Sequence, residues 1–134
     1  DLDDIREPLP LEFRGPPEED LYKLVSMIRT NLRKRSAIYR LAFREITTNP
    51  VVSQKLTDLP LLVKGEMVSQ VSRILGNGCR DDVNIETASV FFLSYFIRGE
   101  MMRIILGKDP FHDIDDERTR EAIDIFLHGI LEEA

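Results

Sequence analysis

The stretch Val90–Leu106, VFFLSYFIRGEMMRIIL, is apolar almost all the way round a helix, yet it carries Arg98, Glu100 and Arg103 near its centre and Gly99 in mid-run. A membrane-spanning helix needs about 20 mostly apolar residues. Charge near its middle costs several kcal/mol, so the three charged residues exclude a span. A helix that faces only its own core shows one apolar stripe. This one shows two: Ala88, Phe92, Tyr95, Gly99, Met102 and Leu106 on one side, and Val90, Leu93, Ile97, Met101 and Ile104 on another. In a domain of 134 residues, such a helix sits either at the very centre or between its own core and another subunit.

The last apolar run repeats the pattern, with Ile123, Leu127 and Ile130 on one side and Ala122, Phe126 and Gly129 on the other. A glycine inside a helix costs about 1 kcal/mol against alanine, so Gly99 and Gly129 each need a reason, and close approach of another helix is the usual one. The expectation is a homodimer in which two copies of these last two helices form a four-helix bundle. Phe92, Gly99, Met102, Ala122, Phe126 and Gly129 are its expected interface. The competing reading is that both glycines serve packing within one chain, and the pattern does not decide which apolar side faces the partner.

Outward from this stretch, the rest of the chain also reads as helix. Residues 1–17 hold Pro8, Pro10, Gly15, Pro16 and Pro17, which withhold backbone donors and favour extended conformations; this is the expected linker or tail before a domain at 18–134. Leu21, Leu24, Val25, Ile28 and Leu32 then recur at helical spacing behind Glu18, Glu19 and Asp20, acids that suit a helix start. A second helix through Ile38, Tyr39, Ala42, Phe43 and Ile46, possible as a continuation of the first past Ser36, stops at Thr47–Pro50. After a short amphipathic stretch at 51–56, a third takes in Leu62, Val63, Met67, Val68, Val71, Ile74 and Leu75 and ends at Gly76–Gly78. Asn84 caps the fourth helix, Ile85–Leu106, and Gly107 closes it; Asp115 caps the fifth. No period-two alternation persists long enough for a sheet. The fold class is therefore all-α, an antiparallel bundle of about five helices.

Composition bounds the chemistry. Apolar residues at 43% and charged residues at 31% are globular values. The formal charge of −6 repels phosphate on average, so the chain is a poor nucleic-acid binder by itself. One cysteine, Cys79, builds no disulfide framework and no thiolate metal site, which fits a reducing, cytoplasmic setting. His112 and His128 have no ligand partner at metal-site spacing. No nucleophile elbow, phosphate-cradling glycine loop or H-E-x-x-H motif is present, so neither a catalytic residue nor a metal or cofactor is expected.

Two further sets of residues stand out. Arg29, Arg33, Arg40 and Arg44 would fall within about 60° of one another on a single continuous helix, as an anion-binding stripe or as a solvated face whose stems cover apolar neighbours. Tyr39, Phe43, Met67, Phe91 and Tyr95 are large side chains on core-directed positions of the second, third and fourth helices. They are the expected walls of an apolar ligand cavity, against the alternative of a filled core.

The run GNGCRDDVNIETASVFFLSYFIRGEMMRIILGKDPFHDIDDERTREAIDIFLHGIL resembles the C-terminal half of TetR-family (tetracycline-repressor-like) transcription regulators. The shared features are the acidic turn Asp82–Glu86, Ala88 near the start of a long helix, the mid-helix Gly99, the loop from Gly107 to Asp115, and FLHGIL at Phe126–Leu131. YRLAFREITTNPVVSQKL, with Glu45 before an asparagine–proline break, is similar to the family's preceding segment. The resemblance covers about residues 20–132 and rests on helix ends and glycines. It implies an effector-binding and dimerisation domain, not an enzyme, that takes a small apolar effector and reaches DNA only through a helix-turn-helix segment of which nothing here has the pattern. A standalone helical adaptor for another protein is the rival expectation, and an enzyme a distant third.

Overall fold

The computed structural model describes residues 12–108 and 115–131, with the side chains of 57–64 left aside. Within the described residues five α-helices follow one another: α1 (Pro17–Lys34), α2 (Ser36–Glu45), α3 (Pro50–Leu75), α4 (Ile85–Leu106) and α5 (Asp116–Ile130). The architecture is an all-α bundle, as the periodicity requires. Among the described residues the only extended pairing is an isolated antiparallel bridge between Cys79 and Leu131, reinforced by the Arg80 amide donating to the Ile130 carbonyl at 2.9 Å.

The helix ends follow local chemistry. Pro17 opens α1 at a position whose N–H would have no helical partner anyway. Asn49 accepts from the amides of Val51 and Val52 at 3.1 and 3.3 Å, so the asparagine–proline pair that ends α2 also starts α3. The sequence-based expectation of a separate stretch at 51–56 gives way here to one helix, Pro50–Leu75. Pro60 removes a backbone hydrogen bond from it without ending it, and Leu62 and Val63 fall among the side chains left aside. Asn84 accepts from the Thr87 amide at 3.0 Å and Asp115 from the Arg118 amide at 2.9 Å. Gly107 closes α4 with φ +81°, the left-handed conformation that glycine adopts without steric penalty.

The core is assembled from four helices. Leu21, Leu24, Val25 and Ile28 of α1 meet Val71, Ile74 and Leu75 of α3, Phe92, Leu93 and Phe96 of α4, and Ile123, Leu127 and Ile130 of α5. Phe92 is its aromatic hub, edge-on to Phe96 at 5.1 Å and stacked on Phe126 at 4.3 Å between ring centroids. Such pairs add about 0.5–1.5 kcal/mol beyond the area they bury.

That hub corrects part of the expected dimer interface. Phe92 and Gly99 are buried within their own chain, so neither faces a partner. The inward face of α4 is Ser89, Phe92, Leu93, Phe96, Gly99, Glu100 and Ile104, and it runs between the two apolar stripes counted from sequence. The reason is that two of its members are polar. Ser89 donates its hydroxyl to the Ile85 carbonyl at 2.6 Å and Glu100 is held by arginine, so a search for apolar periodicity skips both and misplaces the centre of the face.

Candidate functional site

One step of 100° along α4 carries the chain from Phe92 inside to Phe91 outside. Phe91 is 82% exposed. It shares a shallow groove along the helix with Glu86, Thr87, Val90, Ser94, Tyr95 and Arg98, and Arg98 is kept beside that groove by its guanidinium, 5.9 Å from the centroid of the Tyr95 ring. α5 packs against α4 through the Phe92–Phe126 stack. Ala122 and Phe126 are half-buried, packed against the core from its edge, and beyond them Ile125 is 73% exposed. Gly129 is exposed, and apart from its chain neighbours and the adjoining backbone of α5 no described atom lies within 4 Å of where its β-carbon would stand. Packing within the chain therefore gives no reason for a glycine there. Met102 is half-buried on α4.

The five expected cavity walls are not gathered into one enclosure. Phe91 and Tyr95 line the outer groove, which Tyr39, Phe43 and Met67 do not. Phe91 is the clear departure: its exposure places it on the surface rather than in a bundle interior. Tyr39 and Phe43 stack at 6.4 Å along α2, both half-buried, and Met67 packs against the core from α3. Burial raises the Tyr39 phenol above its ordinary pKa.

On the opposite side of α4 lies a charged cluster that the sequence reading did not assemble. Glu100, 5% exposed, accepts from Arg33 through both oxygens, Nε to Oε2 at 3.0 Å and Nη2 to Oε1 at 2.8 Å. Arg29 brings its Nε to 3.8 Å from Oε1 and lays its guanidinium over the Phe96 ring, 5.2 Å from the centroid. Burial pushes the Arg29 pKa down, opposed by Glu100; the hydrogen bond to Glu100 pushes Arg33 up. The arginine stripe is thereby resolved. A break at Arg35, with φ −109° and ψ 20°, separates Arg29 and Arg33 on α1 from Arg40 and Arg44 on α2. Arg40 reaches the Ile104 carbonyl at 3.4 Å, so Arg29, Arg33 and Arg40 all tie α1 and α2 to α4. The missed signal was Glu100, whose charge inside an apolar run requires a cationic partner.

His128 lies exposed on α5 with its Nδ1 3.2 Å from Asp124 Oδ1, and His112 lies outside the described residues. Among the described residues there is no group of three or more His, Cys, Asp or Glu side chains placed to hold a metal ion, and no helix is long and apolar enough to cross a membrane. No protein-family model, curated protein or solved structure matches the chain.

Proposed function

We propose that the chain is the effector-sensing and homodimerisation domain of a TetR-like transcription regulator of the cytoplasm. The observation that carries the reading is the exposed apolar side chains on α4 and α5, Phe91 on the first and Ile125 on the second, with Gly129 of α5 open to close approach. Exposed apolar surface of this kind is costly in a lone protomer and is a common mark of a protein contact. A closed two-fold pair is the commonest arrangement for identical chains. The helix-end and glycine pattern shared with the regulator family supplies the rest.

In this reading an apolar effector enters between α2 and α3, where the Tyr39–Phe43 pair and Met67 are half-buried. It favours one arrangement of the helices over another and so alters the spacing of DNA-binding segments across the dimer. That coupling requires different affinities for the two arrangements. DNA contact belongs to a helix-turn-helix segment outside these 134 residues.

A thermal-shift screen of apolar metabolites and drugs tests the sensing half. A ligand at a hundredfold excess over its Kd stabilises the folded state by about 2.7 kcal/mol, and Phe43→Ala is expected to shrink the shift in a still-folded variant. A screen that returns nothing leaves only the dimerisation role. The second reading, a helical adaptor for a different protein, is favoured by Leu41, Ile105 and Leu106, which are also exposed; it predicts a chain that stays monomeric until that protein is added.

A further inference from the structure

We infer that two copies of the chain meet along the α4 groove in antiparallel register, with Glu86 of each copy opposite Arg98 of the other. This rests on the self-association proposed above and adds the contact and its register. A two-fold interface is made by one patch against itself, so the patch must be self-complementary: if residue i meets residue j, then j meets i. The groove has that property. Glu86, Val90, Ser94 and Arg98 all line it and follow one another at intervals of four, the spacing that forms a single ridge on a helix surface. Acid stands at one end and base at the other, about 18 Å apart at 1.5 Å per residue.

Turned end for end about the midpoint of this ridge, the acidic end of one copy faces the basic end of the other, twice. The same register sets Val90 of each copy against Ser94 of the other, a branched apolar side chain against a small one. It also brings the two Phe91 rings close to the axis, where their exposed surface is removed from water. A parallel pairing would instead put Glu86 on Glu86 and Arg98 on Arg98. Like charges at an interface are strongly selected against.

Charge reversal in mixed chains tests this register. Glu86→Arg leaves a chain with two basic ends and Arg98→Glu one with two acidic ends. Sedimentation of either alone should show self-association weakened at least about tenfold, with far-UV circular dichroism unchanged. An equimolar mixture should recover wild-type affinity by pairing unlike chains, and the double variant E86R/R98E should recover it alone. Where a reversal disturbs the helix, Glu86→Gln and Arg98→Gln serve, each expected to weaken association by a smaller factor of about three. Single variants that dimerise like the wild type, or a mixture no tighter than its components, would overturn the register while leaving a dimer formed by other parts of α4 and α5. A wild-type chain that remains monomeric would overturn the register and the dimer together.

Discussion

Phe96 and Phe91 stand five residues apart on one helix, and the first is 1% exposed while the second is 82% exposed. Phe96 is enclosed by Phe92, Tyr95 and the guanidinium of Arg29; Phe91 lines an open groove. Composition does not separate them, because both belong to the same apolar run. What separates them is what each face of α4 has to satisfy. The inner face holds a core whose order depends on two polar residues, Ser89 and Glu100. The outer face leaves Phe91 and Val90 open to solvent.

The largest expected effect lies on the inner face. Phe96→Ala should cost about 3–5 kcal/mol of protomer stability, the range for deleting a buried aromatic ring, while Phe91→Ala should leave the protomer within about 0.5 kcal/mol of wild type and weaken self-association instead. Chemical denaturation read together with sedimentation separates the two effects. Equal destabilisation by both substitutions would erase the distinction between the faces.

Glu100→Ala comes next. It leaves the Arg33 and Arg29 guanidiniums facing an emptied, mostly buried position, at an expected cost of about 2–3 kcal/mol. That is below the range for a fully enclosed pair because Arg33 is half exposed to water. A loss under about 0.5 kcal/mol in urea titration would mean that the clamp does not tie α1 to α4.

Gly129 lies on the outer side of α5. With open space at its β-carbon but a place next to the end of α5, Gly129→Ala should raise protomer stability by less than about 0.5 kcal/mol through helix propensity alone. Gly129→Leu should weaken the dimer while the protomer stays folded, and loss of both together would return the glycine to intrachain packing.

The smallest effect concerns the edge where α1 meets α5. Tyr22 donates its hydroxyl to Asp116, and that hydrogen bond raises the phenol above its ordinary pKa of 10.0. A raised folded-state pKa means that the folded chain holds the proton more tightly. The contribution is therefore fully present below about pH 10 and lost as the pH climbs through the folded value. Melting curves between neutral pH and pH 11 should show a decline that is shallower in Tyr22→Phe; identical slopes would dismiss the tether.

Much of this was legible in the sequence, and the failures share one cause. Asn84, Gly107 and Asp115 marked the ends of α4 and the start of α5 because capping depends on a few neighbouring atoms. The core residues of α1 and α5 followed from spacing for the same local reason. Apolar periodicity alone turns Phe92 toward a partner and Phe91 toward a cavity, whereas the inward face of α4 is completed by Glu100 and its arginines. That pairing joins residues 67 positions apart, which no helical period reports. Nor does a helical period report the break at Arg35, which splits the arginine stripe.

In the proposed dimer the exposed apolar side chains of α4 and α5 are covered by a second copy of the chain. Sedimentation equilibrium of the wild-type chain at concentrations on the order of ten micromolar, where a Kd of micromolar or below gives mostly dimer, tests it most directly. The expected result is a species of twice the 15.5 kDa chain mass that reverts toward the monomer in Phe91→Ala. A wild-type chain that sediments as a monomer at that concentration would contradict it.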